Sequence, residues 1–362
     1  MKKFMTMAAV AFTAILAGCA PQKEFQIALI TDVGDIDDKS FNQGSWEGVV
    51  EFAEENNKTY QYYKPTEVNS DEYIQSIELA VEGGAEIIVT PGFLFEVPIF
   101  FAQDEFPNIN FILLDGVPHN ADYSEFRIED NVMSILYAEE QAGFLAGYAA
   151  VMEGYTKLGF MGGMAVPAVV RFGIGFAQGA QEAAELLQLT EELTLRYHYT
   201  GDFAATLKNR ATADTMFQQG VEVIFAAGGA VGASVMAAAE QANKKVIGVD
   251  INQGGDSPTV ITSAMKGLTS SVYQALEEYY NGEFRGGEVV IFNAANNGIG
   301  LPTDEESFLF ETFTIEQYDA IFEDLANDVV VVNSDLTLGQ KEAVNDGNFD
   351  TLLDLVNLIW ID

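Results

Sequence analysis

The sequence has little of the chemistry that most metal and nucleophile sites use. Its 362 residues include one cysteine, Cys19, and two histidines, His119 and His198. A single thiol allows no internal disulfide. The histidines stand far apart, and neither is in a spacing typical of metal ligands, which argues against a His-based metal site and against a Ser-His-Asp triad. We therefore expect neither thiol chemistry nor a metal in the folded chain.

Basic residues are also scarce. The chain has 17 lysines and arginines against 55 aspartates and glutamates, a formal net charge of −38. A protein binds nucleic acid through a basic surface that displaces counterions, so this composition excludes nucleic acid as a partner. The acidic excess also disfavours adsorption to anionic lipid and favours solubility.

Only the N-terminus carries an apolar run that suggests a membrane. Two lysines precede the run from Phe4 to Leu16, which is too short to span a bilayer comfortably. The next residues, Ala17-Gly18-Cys19, are similar to a bacterial lipobox. We predict a lipoprotein signal peptide over 1–18, a lipid on Cys19 and a short tether over 19–25. An ordinary signal peptide followed by a chance cysteine is the alternative.

From Phe25 onwards, apolar runs of strand length alternate with helical segments. Runs such as Ile27–Ile30 are apolar on both faces, as in a parallel sheet covered by helices. The pattern predicts an α/β fold of two doubly wound, Rossmann-like units. Residues 134–152 are predicted to form one long helix rich in Ala and Gly. We also expect one or two short helices within 334–362, packed on a lobe or binding a partner.

The most informative segment runs from Thr31 to Gln43, between the first strand and the first helix. Doubly wound sheets bind ligands beyond the carboxyl ends of their strands. Asp37 or Asp38 can cap the helix, and a spare carboxylate can accept hydrogen bonds from a neutral ligand. Clustered carboxylates would repel phosphate. Phe41 could stack on a planar ring, although a capped helix with a core phenylalanine explains the same residues.

Other predicted strand ends carry similar residues. Asp115 and Asp250 each follow a strand, one in each unit, and Gly228 follows another strand where the backbone can approach a ligand closely. Each aspartate alone suits a turn or a helix cap, but together they favour a shared polar cleft. Lys266 precedes a helix and could offset the acidic charge by donating to hydroxyls. An ordinary surface lysine is the alternative.

An ordered set of these segments resembles the basic membrane protein family, the purine-nucleoside-binding lipoproteins of ABC importers. The resemblance extends from about Phe25 to Val332. Its segments are Ile30-Thr31-Asp32, Asp38-Lys39-Ser40-Phe41-Asn42-Gln43, Glu139-Glu140-Gln141-Ala142-Gly143 with Gly147, Gly162-Gly163-Met164, Arg171-Phe172, Gly175-Phe176, Gly228-Gly229, Ile247-Gly248-Val249-Asp250 and Met265-Lys266.

The resemblance implies a type I periplasmic-binding-protein fold, with two lobes joined by crossing segments, a ligand cleft between them, and neither catalysis nor a cofactor. The first lobe would comprise 26–133 plus about 264–285. The second would comprise 134–263 plus about 286–333, which leaves 334–362 as an extension of unknown role.

The resemblance also implies roles for residues. The base would lie between Phe41 and an aromatic residue of the second lobe, placed at Phe172. The remaining ligand contacts would be Asp32, Asp38 and Asn42 on the base edge, Asp115 on a polar edge of the nucleoside, Asp250 and Lys266 on the ribose, and the backbone of Gly228. The partners would be a purine nucleoside, an ABC permease complex and, through the lipid on Cys19, the outer face of the cell membrane.

Three other functions fit parts of the sequence. Nucleoside hydrolases hold Ca²⁺ with an aspartate cluster that resembles the run from Asp32 to Asp38, but here Ile30 replaces the leading aspartate and the spacing differs. A sugar or another small metabolite could occupy the same fold. A surface adhesin or signalling receptor would use the fold without transport.

Overall fold

A computed structural model describes residues 25–191, 193–340 and 353–361. The predicted signal peptide and Cys19 lie outside this part of the chain. No helix within it is both long and apolar enough to cross a membrane. The strands are β1 (Ile27–Ile30), β2 (Tyr60–Tyr63), β3 (Ile87–Pro91), β4 (Asn110–Leu114), β5 (Val132–Tyr137), β6 (Lys157–Gly162), β7 (Leu193–Tyr199), β8 (Val223–Ala227), β9 (Lys245–Asp250), β10 (Val260–Lys266), β11 (Val289–Phe292), β12 (Ile299–Gly300) and β13 (Val356–Trp360). The α-helices are α1 (Phe41–Glu55), α2 (Ser70–Glu82), α3 (Glu96–Glu105), α4 (Glu139–Met152), α5 (Pro167–Leu186), α6 (Leu207–Gln218), α7 (Val231–Ala242), α8 (Leu268–Asn281) and α9 (Ile315–Ala326).

The strands form two separate sheets. The first has the order β11-β5-β4-β3-β1-β2 and is parallel throughout. The second has the order β12-β10-β9-β8-β6-β7-β13 and is parallel except for β12. The central strands are buried along their length, as their apolar runs predict. The predicted α/β fold of two parallel-sheet lobes is confirmed.

The chain passes between the sheets three times: between β5 and α4, between β10 and α8, and between β11 and β12. The prediction of a single helix over 134–152 is wrong at its start, because β5 occupies Val132–Tyr137 and the helix begins at Glu139. Periodicity cannot separate a strand buried on both faces from a buried helix. Pairing of β5 with β4 and β11 decides the outcome.

Sheet membership also shifts the predicted lobe boundaries. β5 belongs to the first sheet, so the first crossing comes after Tyr137 rather than at 133. Residues 264–266 end β10 in the second sheet, so the return to the first lobe starts at α8, which packs on α1. β11 lies in the first sheet, although the predicted second lobe of 286–333 includes it.

Helices α4 and α5 pack unusually closely. A Cβ atom at Gly143 would lie 2.1 Å from the carbonyl oxygen of Phe172, and one at Gly175 would lie 2.0 Å from that of Glu140. Only glycine permits this approach. The contact fixes the position of α5 against α4.

The C-terminal extension forms a strand where we predict helix. β13 runs parallel to β7 from Val356, opposite Leu193, to Trp360, opposite Tyr197. The crowded apolar residues suggest a helix, but pairing with a distant strand supplies the backbone partners that local propensity cannot foresee. The part of the predicted helices within 341–352 lies outside the described residues.

Candidate ligand-binding site

A cavity of about 450 Å³ lies between the two lobes, at the carboxyl ends of several strands. Both lobes contribute to its lining, and every candidate binding residue named from the sequence is part of it. These residues are Asp32, Asp38, Phe41, Asn42, Asp115, Phe172, Gly228, Asp250 and Lys266. Residues far apart in the chain meet here because parallel strands end at the same edge of each sheet.

The carboxylate of Asp38 makes its hydrogen bonds with the first turn of α1 and the residue before it. One carboxylate oxygen accepts hydrogen bonds from the backbone N–H groups of Ser40 (2.9 Å) and Gln43 (3.1 Å). The other accepts from the backbone N–H (3.1 Å) and the side-chain amide (2.9 Å) of Asn42. These bonds satisfy the free N–H groups of the first helical turn. Asp38 therefore stabilises the helix start, as the alternative interpretation of this segment expects.

Asn42 and Asp32 form the polar part of the first-lobe wall. The amide nitrogen of Asn42 donates to Asp32 Oδ1 at 3.0 Å as well as to Asp38. These two bonds fix the orientation of the amide, and its oxygen is buried without a hydrogen-bond partner in the structure. Burial raises the pKa of Asp32, while the hydrogen bond from Asn42 opposes the rise.

Lys266 lies at the centre of the buried charges. Its Nζ is 2.5 Å from Asp115 Oδ2, 3.0 Å from Glu139 Oε1 and 4.0 Å from Asp250 Oδ1. Its side chain is only 2% exposed, so the interpretation as a surface lysine is wrong. Burial alone would lower its pKa, but the three carboxylates outweigh burial and raise it. Lys266 therefore remains an ammonium group.

The same ammonium lies against aromatic rings of both lobes. Its Nζ is 4.9 Å from the ring centroid of Phe41 and 5.4 Å from that of Phe172. Both distances fall within the range of cation–π attraction. Phe41 and Phe172 therefore line the same end of the cavity and do not lie in separate cores.

The two strand-end aspartates occupy equivalent places in the two lobes. Asp115 follows β4 with φ of 56°, and Asp250 ends β9 with φ of 66°. Burial raises the pKa of Asp115 to about 7 against the opposing effect of Lys266, and burial also raises that of Asp250. Asp250 accepts a 2.5 Å hydrogen bond from the Ser40 hydroxyl, whereas Asp115 Oδ1 is buried without a partner in the structure.

Sequence reasoning missed two residues of this region. Phe203 lines the second-lobe wall and is half-buried, whereas Phe172 is 2% exposed and packs edge-on against Phe225 with centroids 5.7 Å apart. The position of Phe203 just after β7 follows the strand-end rule that identifies Asp115. Glu139 is buried beside Lys266; it stands in a segment that resembles the family, but no role is predicted for it from the sequence.

The cavity lining carries an acidic excess. It contains six aspartates and two lysines, and one of those lysines, Lys64, pairs with Asp35 at 2.6 Å. The arrangement favours ligands that donate hydrogen bonds and disfavours anions. Within the described ranges, no group of three or more His, Cys, Asp or Glu side chains is placed to hold a metal ion.

The lobes also contact each other directly beside the cavity. The backbone carbonyl of Lys39 accepts a 2.6 Å hydrogen bond from Gln253, and Lys39 Nζ lies 2.7 Å from Asp256. The bond between Ser40 and Asp250 joins the same two segments. The two lobes are thus in direct contact, with first-lobe residues touching Asp250 and the loop that follows β9.

Comparisons with known proteins agree with this architecture. The family model of the PnrA-like ABC transporter substrate-binding proteins, Bmp, matches residues 25–334. The chain is 28% identical over 329 residues to the ABC transporter nucleoside-binding protein BmpA of Lactococcus lactis subsp. cremoris, covering 82% of this chain and 89% of that protein. It is 31% identical over 284 residues to basic membrane protein D of Borreliella burgdorferi, covering 77% and 79% respectively.

Solved structures share the fold. A solute-binding protein of an ABC transporter system from Aeropyrum pernix superposes with a TM-score of 0.76 at 24% identity, covering 91% of this chain and 99% of that one. A second, from Conexibacter woesei, gives a TM-score of 0.68 at 23% identity, with 86% and 99% covered. The two lobes thus have the type I periplasmic-binding-protein architecture, and the chain belongs to the Bmp family of ABC transporter substrate-binding proteins.

Proposed function

We propose that this protein captures a purine nucleoside between its lobes. The observation that carries the proposal is the composition of one cavity: aromatic side chains, acceptor carboxylates and a buried ammonium surround the same space. Its volume of about 450 Å³ is within the range of small-molecule sites, roughly 300 to 1,000 Å³. A nucleoside combines a planar apolar base with a hydroxylated sugar, and each part has matching groups here.

The base is expected to stack on Phe41 of the first lobe. On the second lobe, Phe203 is a better stacking partner than the predicted Phe172, because it is half-buried while Phe172 already packs in the core. Asp32 and Asn42 remain candidates for the base edge, since Asp38 is engaged by the helix start.

The sugar is expected to bind at the charged end of the cavity. Asp115 and Asp250 can accept hydrogen bonds from two hydroxyls, and Lys266 can donate to their oxygens. Gly228 lines the cavity and would allow close backbone approach. The acidic lining disfavours a nucleotide, because a phosphate would add charge of the same sign.

Capture by both lobes would stabilise the closed form, which would then deliver the ligand to an ABC permease. The proposal places the protein on the outer face of the cell membrane, held by a lipid on Cys19. Replacing Cys19 by Ser tests this anchor. We expect the variant to lose incorporation of labelled fatty acid and to leave the membrane fraction; an unchanged distribution with no label in the wild type would refute the anchor.

Isothermal titration with inosine, guanosine and adenosine tests the ligand class, with ribose and inosine monophosphate as comparison ligands. We expect micromolar or tighter binding of at least one nucleoside and much weaker binding of the other two compounds. Asp115→Asn should weaken binding, whereas Asp122→Asn, an exposed change in the first lobe, should not.

Absence of nucleoside binding at high micromolar concentration would defeat the proposal. Tighter binding of ribose would favour the sugar-binding alternative, and calcium-dependent release of free base would favour a hydrolase.

A further inference from the structure

The C-terminal extension lies beyond the part of the chain that matches the family model, which ends at residue 334. Its strand β13 nevertheless completes the second sheet by pairing with β7. The backbone is tied at both ends of this pair. Leu193 N–H donates to the Leu355 carbonyl at 2.8 Å, and Ile361 N–H donates to the Tyr197 carbonyl at 2.9 Å.

The extension contacts β7 through aromatic rings as well as through the backbone. The Trp360 ring stacks on Tyr197, with centroids 5.7 Å apart and an interplanar angle of 24°, and lies 5.6 Å from Tyr199. The Tyr199 hydroxyl donates to the carbonyl of Gly339, also in the extension, at 3.0 Å. The extension therefore contacts the last residues of β7 through backbone hydrogen bonds and through side chains.

Two elements that the extension contacts, β7 and α5, lead to residues of the cavity wall. The end of β7 leads directly to Asp202 and Phe203 in that wall. Tyr197 of β7 also packs against α5: a Cβ at Gly173, the neighbour of Phe172, would be 1.8 Å from the Tyr197 hydroxyl oxygen.

The extension also binds α5 directly. Leu355 N–H donates to the side-chain oxygen of Gln181 at 2.8 Å, and Gly339 packs against Val170 and Ile174. The N-terminal half of α5 supplies the cavity-lining residues from Pro167 to Val169 and Phe172.

We infer that the described parts of the C-terminal extension, 334–340 and 353–361, form a positioning element for the ligand cavity, with Trp360 as its main contact. It holds β7 and α5, the two elements that carry Phe203 and Phe172, at the distance from Phe41 that a planar ligand requires. Residues 353–361 do not line the cavity and act through β7 and α5, which lead to its wall. The inference rests on the proposed function for the identity of the ligand but not for the position of the wall.

The test uses two variants of the full protein and one control. The first ends the chain at Asn333; the second is Trp360→Ala; the control is Asn357→Ala, an exposed change on the same strand. Binding of inosine, guanosine and adenosine is measured by titration at a temperature where circular dichroism shows each variant folded. Amide hydrogen exchange is measured over 167–173 and 200–205.

We expect the shortened chain to bind about tenfold or more weakly, and Trp360→Ala about threefold to tenfold more weakly. In both variants the amides of the two segments should exchange faster, whereas Asn357→Ala should match the wild type in both measurements. A folded Trp360→Ala variant with affinity and exchange within twofold of wild type would overturn the inference, whether or not the shortened chain folds. If the wild type binds no nucleoside, the proposed function fails and the exchange comparison alone decides the role of the extension.

Discussion

The two walls of the cavity are built by different means. The first-lobe wall combines the ring of Phe41 with a polar group, Asp32, Asp38 and Asn42, whose side chains are linked by hydrogen bonds within one loop and helix start. The second-lobe wall contains Asp202, Asp250 and Lys266, but most of it is apolar and consists of short side chains, Phe172 on α5 and Phe203 after β7. Its shape depends on how closely helices and strands pack behind it. We therefore expect local polar changes to damage the first wall and packing changes to damage the second.

Lys266 connects the two walls, and its loss should have the largest effect. Lys266→Met would leave the buried carboxylates of Asp115, Glu139 and Asp250 without their shared cation. Removing one partner of a buried ion pair costs about 3 to 5 kcal/mol. We expect a loss of that size in the free energy of unfolding, together with loss of detectable ligand binding.

The matched control for this prediction is Lys64→Met. Lys64 pairs with Asp35 at the cavity rim, and the two side chains are 49% and 40% exposed. Exposed ion pairs contribute about 0 to 1 kcal/mol. Urea unfolding and ligand titration of both variants check the comparison; equal effects would show that burial of the Lys266 cluster is not what makes it important.

The second-lobe wall should be most sensitive to substitutions in the packing of α4 against α5, which lies behind it. Gly175→Ala places a methyl group against the backbone carbonyl oxygen of Glu140. A backbone atom cannot rotate away from the methyl group as the end of a side chain could. Overpacking of this kind costs about 1 to 3 kcal/mol, and we expect weaker ligand binding as well, because α5 must shift. Gly255→Ala is the control, since no atom outside Gly255 and its two chain neighbours lies within 4 Å of the added carbon. Thermal unfolding and ligand titration measure both effects; a fully stable Gly175→Ala protein would contradict close packing of α4 and α5.

A buried carboxyl of the second lobe gives a pH-dependent comparison. Burial, helped by the nearby charge of Glu139, raises the pKa of Glu140 to about 7 from 4.5, while Arg171 opposes the rise. The folded state therefore holds more protons than the unfolded state between these values, so Glu140 makes the protein less stable as pH rises through that window. In Glu140→Gln this loss should be absent.

The variant should thus become more stable than the wild type, by about 2 kcal/mol, as pH rises from about 4.5 to 7, with the two proteins close at the lower value. Urea unfolding at both ends of the window measures the difference. Glu305→Gln, an exposed change, is the control. A constant difference between Glu140→Gln and the wild type at all pH values would contradict the proton balance.

The same contrast explains how much the sequence predicts. The hydrogen-bonded polar group of the first-lobe wall lies in one segment, so the capped helix from Phe41 to Glu55 and the carboxylates before it could be identified directly. Asp115 and Asp250 were identified because strand ends converge in a parallel sheet, whereas Lys266 was assigned to the site only through the resemblance to the family. Glu139, β5 and β13 were missed or misassigned, because their environments come from contacts with residues distant in the chain. The apolar wall depends on such contacts throughout.

The smallest expected effect concerns the direct contact between the lobes. Ser40→Ala removes the donor to Asp250 Oδ2, a buried acceptor, and leaves the rest of the first-lobe loop in place. Loss of one such bond costs about 1 kcal/mol, so the Kd should rise about fivefold if the bond helps to hold the closed form. Lys39→Ala is the comparison, because Lys39 bridges the same segments to Asp256 but its side chain is 61% exposed. An exposed pair should change the Kd by less than about twofold. If the two variants weaken binding equally, the buried bond has no special part in closure, and closure would depend on the ligand and the apolar wall alone.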